Sequence, residues 1–206
     1  MTDKLHVILS EMEQYAVTNN VPIINKESAE LLHQITTANK PVSILEIGTA
    51  IGYSTLLLAT AMPSHGKITT IELDEQRVAV AKHFLAQTDF LNKIEFITGN
   101  AGEVLSGLIG NFDLVFIDAA KGQYLDYLVK IMDKLSPEAI VIADNVLFRG
   151  WVLGNQAVPR RFRTIVKRLN AYLDFVNSDA RFDTVIHHTG DGIAVSHYQG
   201  EQKHEK

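Results

Sequence analysis

The feature that most constrains this chain begins after Pro41. Short apolar runs at 42–47, 67–73, 93–98, 112–118 and 138–143 alternate with stretches of helical periodicity at 53–62, 74–89, 101–109 and 121–135. Alternation of this kind predicts right-handed βαβ units and a parallel sheet covered by helices on both faces. The pattern differs at both ends. Leu5, Ile8, Leu9, Met12 and Tyr15 recur at helical spacing, so an amphipathic helix is expected over 3–19, closed by Asn19, Asn20 and Pro22. A second helix is expected over 26–39, with Leu31, Leu32 and Ile35 inward. Beyond a loop at 145–159 lies a helix at 160–177. Two β-rich runs, Phe182–His188 and Ile193–Tyr198, then flank Thr189-Gly190-Asp191-Gly192. That reads as a hairpin, with Asp191 a turn residue between glycines, so the sheet should end in antiparallel strands.

Composition narrows the class. A chain of 206 residues with 46% hydrophobic content can bury one sizeable core, and one domain over 1–206 is expected: helices over 1–40, the sheet core over 41–198 and a frayed polar tail over 199–206. The net charge of −5 argues against a generally basic nucleic-acid binder, though not against a local basic patch. The chain has no cysteine, which excludes disulfides, zinc–thiolate sites and cysteine nucleophiles. Asp3, Lys4, Glu11 and Glu13 interrupt any secretory apolar core, and no apolar run approaches the ~18 residues that span a membrane. A soluble cytoplasmic protein with no membrane partner is expected.

Ligands of open α/β sheets bind beyond the carboxyl ends of the strands, and four acids fall there: Glu46, Glu72, Asp118 and Asp144. After the first run, Gly48 and Gly52 bracket a turn that opens a helix. A dinucleotide fingerprint needs a glycine at 50 for the pyrophosphate, and Ala50 stands there instead. S-adenosylmethionine has no phosphate and carries positive charge, so Glu46 is compatible with it, and Glu72 suits its ribose hydroxyls. The plainer alternative is that any tight strand–helix turn wants glycine. Asp118, Asp144 and Asn145 should emerge at one sheet edge. Two carboxylates and an amide oxygen are hard ligands suited to Mg²⁺, with Mn²⁺ and Ca²⁺ as alternatives. Taken alone, Asp144-Asn145 also reads as a turn or helix cap. Lys121 follows Asp118 by three residues and can reach the same pocket as a general base or an electrostatic guide, unless it is an ordinary surface lysine.

With L-E-I-G-T-A-I-G-Y-S at 45–54, F-I-D-A-A-K at 116–121, I-A-D-N-V-L at 142–147 and G-D-G-I-A-V-S at 190–196, the chain resembles the metal-dependent, catechol- and caffeoyl-CoA-type S-adenosylmethionine O-methyltransferases over about residues 20–198. The resemblance implies a Rossmann-like, doubly wound seven-stranded sheet, commonly in a homodimer. It implies cofactor contacts at Ile24, Glu46, Gly48, Ser54, Glu72, Asn100, Ala101 and Asp118. Asp118, Asp144 and Asn145 would bind metal, and Lys121, with Asp118, would be catalytic. Asn100 departs from the family's usual aspartate. Within the family, D-A-A-K-G-Q-Y and D-N-V-L-F-R-G are most similar to the tRNA 5-hydroxyuridine methyltransferases.

The acceptor is the open question, because a catechol and a 5-hydroxyuridine both offer two adjacent oxygens to a metal. Phe148, Arg149 and Trp151 lie just past the metal ligands, and Arg160, Arg161, Arg163, Lys167 and Arg168 follow. Aromatics beside a basic stripe fit a single-stranded RNA loop, hence tRNA as partner. The bland reading is a solvated helix face with core aromatics, which leaves a small catechol-like or hydroxycinnamoyl-CoA substrate. A non-enzymatic nucleoside-binding module is the third possibility.

Overall fold

A computed structural model describes residues 3–154 and 157–200. Two helices come first, α1 (Asp3–Asn19) and α2 (Lys26–Asn39). Asn25 caps α2 by accepting the Ser28 N–H at 2.9 Å, and Lys40 closes it in the left-handed conformation. The alternating region then gives β1 (Ser43–Ile47), α3 (Tyr53–Ala61), β2 (Lys67–Glu72), α4 (Glu75–Leu85), β3 (Ile94–Thr98), α5 (Ala101–Gly107), β4 (Phe112–Ile117), α6 (Tyr124–Ile131) and β5 (Leu135–Asp144). Helix α7 (Arg163–Ser178) leads into β6 (Phe182–His187) and β7 (Ile193–Tyr198).

The seven strands lie in the order β3-β2-β1-β4-β5-β7-β6. The first five are parallel, and β7 runs antiparallel to both β5 and β6. This is the Rossmann-like, mostly parallel sheet with a C-terminal antiparallel hairpin that the sequence predicts. Side chains alternate across it. Ile44, Leu114, Phe116, Ile140 and Ile142 face α1–α4, where Met12, Leu32, Leu56 and Leu85 meet them. Leu45, Ile47, Val115, Ile117 and Val141 face α5–α7, against Leu105, Leu128, Leu169 and Tyr172. Each such side chain contributes roughly 1.5–3 kcal/mol when fully buried.

Several boundaries differ from expectation: α4 ends at Leu85 rather than 89, and a 3-10 turn at Arg160–Phe162 precedes α7. Strand β5 starts at Leu135 rather than 138, because Leu135 already pairs with Phe112. Pro137 has no N–H and Glu138 sits at φ 65°, so the register slips there before Leu114 pairs with Ile140. The helix expected over 121–135 is α6 flanked by 3-10 turns at Lys121–Gln123 and Met132–Lys134. Of the expected tail, Gln199 donates its N–H to the Arg181 carbonyl at 2.8 Å, and residues 201–206 lie outside the described residues. Among the described residues no helix is long and apolar enough to cross a membrane.

Candidate active site

The chain order reverses between β1 and β4, and the ends of these strands frame a cavity of about 360 Å³. Of the residues expected to touch a cofactor, Ile24, Gly48, Ser54, Glu72, Asn100, Ala101 and Asp118 line it, as do Lys121 and Asn145. The glycine turn explains how two strand ends come so close. At Gly48, with φ 107°, a Cβ would stand 2.2 Å from the Asp118 carbonyl oxygen. Ala50 takes φ 46°, and its N–H donates to Glu72 Oε2 at 2.8 Å. Glu72 Oε1 accepts the N–H groups of Leu73 and Asp74 at 3.0 and 3.1 Å. The acid assigned to ribose hydroxyls therefore also braces the turn against β2. Asn100 caps α5, its Oδ1 accepting the Gly102 N–H at 2.9 Å, a task that aspartate and asparagine perform equally.

Glu46 does not reach the cavity. It points from β1 into the layer beneath α3, with no exposed surface, and accepts hydrogen bonds from the Ser54, Thr55 and Thr70 hydroxyls at 2.6, 2.5 and 2.6 Å. Ser54 also lines the cavity, so Glu46 reaches the site only through that hydroxyl. Burial lifts its carboxyl from 4.5 to about 7, against the pull of the three donors. Between those values the folded chain keeps a proton that the unfolded chain has released. Stability from this residue therefore falls as pH rises through that window, by about 3 kcal/mol in all, with the full cost present above it. Glu46→Gln stays neutral and is expected to flatten this part of the pH–stability curve in urea titrations. Equal slopes in the two proteins would contradict that assignment.

Asp118 and Asp144 end adjacent strands. Asp144 is fully buried; its Oδ1 accepts the Asn145 N–H at 2.8 Å, while Oδ2 has no hydrogen-bond partner. Burial, and then the Asp118 charge, raise its carboxyl to about 7. The Ser28 hydroxyl opposes that rise slightly, without standing at hydrogen-bonding geometry to Oδ2. Burial also pushes Asp118 up, while Lys121 pulls it down, its Nζ 3.9 Å from Asp118 Oδ1. An orphaned buried oxygen next to a second carboxylate is costly without a counter-charge, and a hard dication would relieve it. Among the described residues no cluster of three or more His, Cys, Asp or Glu side chains is placed to hold a metal. An ion here would take the two carboxylates, the Asn145 amide and further oxygens from water or acceptor, which suits Mg²⁺. The residues present fit such an ion.

Phe148, Arg149, Trp151, Arg160 and Arg161 do not line the cavity. Phe148, Arg149, Trp151 and Arg161 form a ledge with Phe162 past Asn145, and Arg160 stands exposed, preceding Arg161 in the chain. Trp151 stacks on Phe162 at 4.9 Å, and Phe148 meets both rings edge-on at 5.4 and 5.6 Å. The Arg149 guanidinium lies 5.5 and 5.6 Å from the Trp151 and Phe162 ring centres, and that of Arg161 lies 4.6 Å from Phe162. The rings expected to stack a base thus stack on one another, and the arginine planes cover them. Arg163 and Arg168 turn towards the carbonyls of Val158 and Gly122, at 3.4 and 3.3 Å. Further side chains that the sequence reading gives no role also line the cavity, among them Tyr53, Arg77, Gln123 and Tyr127. Tyr53 and Gln123 stand within the quoted motifs, whereas Arg77 and Tyr127 sit within helices and carry no local signal.

Residues 1–198 match the sequence model of the O-methyltransferase family. A catechol O-methyltransferase of Niastella koreensis is 34% identical over 148 residues, 70% of this chain and 65% of that protein, so the match spans just under two thirds of the relative. The structure of a candidate caffeoyl-CoA O-methyltransferase from Staphylococcus aureus superposes with a TM-score of 0.84 at 33% identity, covering 92% of this chain and 91% of that one. An O-methyltransferase of Bacillus cereus, solved in complex with SAH, shares the fold with a TM-score of 0.83 at 24% identity, covering 93% and 90%. The chain belongs to the O-methyltransferase family, as an S-adenosylmethionine-dependent member of the catechol and caffeoyl-CoA type.

Proposed function

We propose that this enzyme methylates a hydroxyl that has a second oxygen beside it, with a divalent cation held by Asp118, Asp144 and Asn145, and that its acceptor is 5-hydroxyuridine at the tRNA wobble position. The cavity residues Ile24, Gly48, Ser54, Glu72, Asn100, Ala101 and Asp118 would hold S-adenosylmethionine. When bound, the cation would supply Lewis acidity and a template for two acceptor oxygens. Lys121 would act beside the hydroxyl as it ionises, either as a neutral amine that takes the proton and becomes an ammonium, or as an ammonium whose charge steers the oxygenate while the proton passes to solvent. Its loose pairing with Asp118 leaves the ammonium able to turn to the acceptor. Gly48 and Asp118 would keep cofactor and acceptor at one strand-end junction, where orientation alone accelerates transfer.

One observation carries the choice of RNA. Residues 145–173 hold Arg149, Arg160, Arg161, Arg163, Lys167 and Arg168 and no aspartate or glutamate, in a chain of net charge −5. Arg149, Arg160, Arg161 and Lys167 are exposed, Arg149 and Arg161 on the ledge itself, and guanidinium planes both pair phosphates and stack on unpaired bases. A second reading, a small catechol or caffeoyl-CoA-type acceptor, is favoured by the names of the relatives. Purified enzyme with S-adenosylmethionine and Mg²⁺ should convert 5-hydroxyuridine in tRNA to 5-methoxyuridine, read by nucleoside mass spectrometry. Joint replacement Arg160→Ala and Arg161→Ala should lower kcat/KM for tRNA by about tenfold and flatten its salt dependence. Turnover of catechol or caffeoyl-CoA with tRNA left unmodified would establish the second reading.

A further inference from the structure

We infer that Asp191 is a positioning residue for the Asn145 ligand, acting through the backbone of residues 145–149. The inference rests on the reading of Asp118, Asp144 and Asn145 as cation ligands. The loop after β5 is strained: Asn145, Phe148 and Arg149 take φ 55°, 40° and 60°. Left-handed backbone costs roughly 1–2 kcal/mol for each non-glycine residue, and such conformations persist only where their surroundings over-determine them.

The β6–β7 turn supplies that restraint. Its carbonyls at Gly192 and Asp191 accept the N–H groups of Val146 and Leu147, each at 2.9 Å. The Asp191 carboxylate reaches further and accepts the N–H of Arg149, at the far end of the strained segment. Close packing fixes the turn itself. A Cβ on Gly192 would fall 2.3 Å from Leu147 Cγ, and one on Gly190 would fall 2.3 Å from Asn25 Nδ2. The turn is thus wedged between the α2 cap and the ligand loop, and Asp191 is the residue whose side chain ties the far end of that loop down. Without it, Phe148 and Arg149 can relax to ordinary backbone, and one of the restraints that keep Asn145 left-handed is lost. The Asn145 amide then loses its fixed place at the cavity wall it shares with Asp118.

The test is a Mn²⁺ titration of the full-length protein followed by electron paramagnetic resonance, with S-adenosylmethionine affinity measured by calorimetry on the same samples. Wild type should bind Mn²⁺ saturably and Asp144→Asn should not; absence of saturable binding in wild type would overturn the cation reading and this inference together. With those controls met, Asp191→Ala should weaken Mn²⁺ binding by about tenfold, as loss of ligand-orienting groups does. Its affinity for S-adenosylmethionine should stay within about twofold of wild type. Asp191→Asn keeps an acceptor for the Arg149 N–H and should restore Mn²⁺ affinity to within about threefold of wild type. Wild-type Mn²⁺ affinity in Asp191→Ala, or equal loss of both ligands there, would overturn the positioning role while leaving the cation reading intact.

Discussion

Asp144→Asn is expected to lower metal-dependent kcat by at least about a thousandfold while raising the thermal stability of the metal-free protein. The two effects have one origin. The Asp144 carboxylate has an unpartnered oxygen, no exposed surface and Asp118 as a neighbour, so an ionised Asp144 destabilises the empty fold. The amide keeps an acceptor for the Asn145 N–H and removes the charge. It also removes a charged ligand, and a thousandfold loss corresponds to about 4 kcal/mol of barrier, within the several that a Lewis-acid ion contributes. The measurements are kcat with and without added Mg²⁺, and melting curves in chelator. Full activity in the variant, or a lower melting temperature without metal, would refute the account of this residue.

The second large effect is expected at Gly48→Ala. A methyl there would meet the Asp118 carbonyl oxygen at 2.2 Å and its carbon at 2.8 Å, and alanine is strained at φ 107° besides. Neither obstacle yields cheaply, since the blocking atoms are the backbone of the adjacent strand end. Strain and overpacking together cost about 3 kcal/mol or more, and any relaxation displaces Asp118 and the cavity wall. Urea unfolding should show that loss, and S-adenosylmethionine affinity by calorimetry should fall by at least about a hundredfold, in keeping with that energy. Gly107→Ala is the control. That glycine closes α5 with nothing within 4 Å of an added Cβ, so the change should be neutral or slightly stabilising. Similar behaviour of the two variants would mean that the close approach at Gly48 has no energetic weight.

Most of the fold was legible because its signals are local. The helix at 3–19, the capped helix at 26–39 and the alternation beyond Pro41 each announce themselves within a short window. The β5 start was hidden because Leu135 joins the sheet only through its pairing with Phe112 across a bulge. The site divides in the same way. The strand-end acids and the Gly48 turn could be placed by topology, since strand ends of a parallel sheet converge. Which way an acid points could not. Glu46 looks like a cavity residue in the sequence, yet the alternation of β1 turns it under α3 to three hydroxyls. Arg168, counted with the basic stripe, donates instead to the Gly122 carbonyl, next to Lys121. The stack of Trp151 on Phe162 spans an irregular loop, and the hold of Asp191 on Arg149 joins residues 42 positions apart, and no local pattern signals either contact.

The central claim, a cation held at the ends of β4 and β5 beside the methyl donor, is tested most directly by crystals grown with Mn²⁺ and S-adenosylhomocysteine. Anomalous scattering at the manganese edge should show one strong peak within bonding distance of Asp118, Asp144 and Asn145, next to cofactor density in the cavity behind Gly48. Clear cofactor density with no anomalous peak at those three side chains would contradict it.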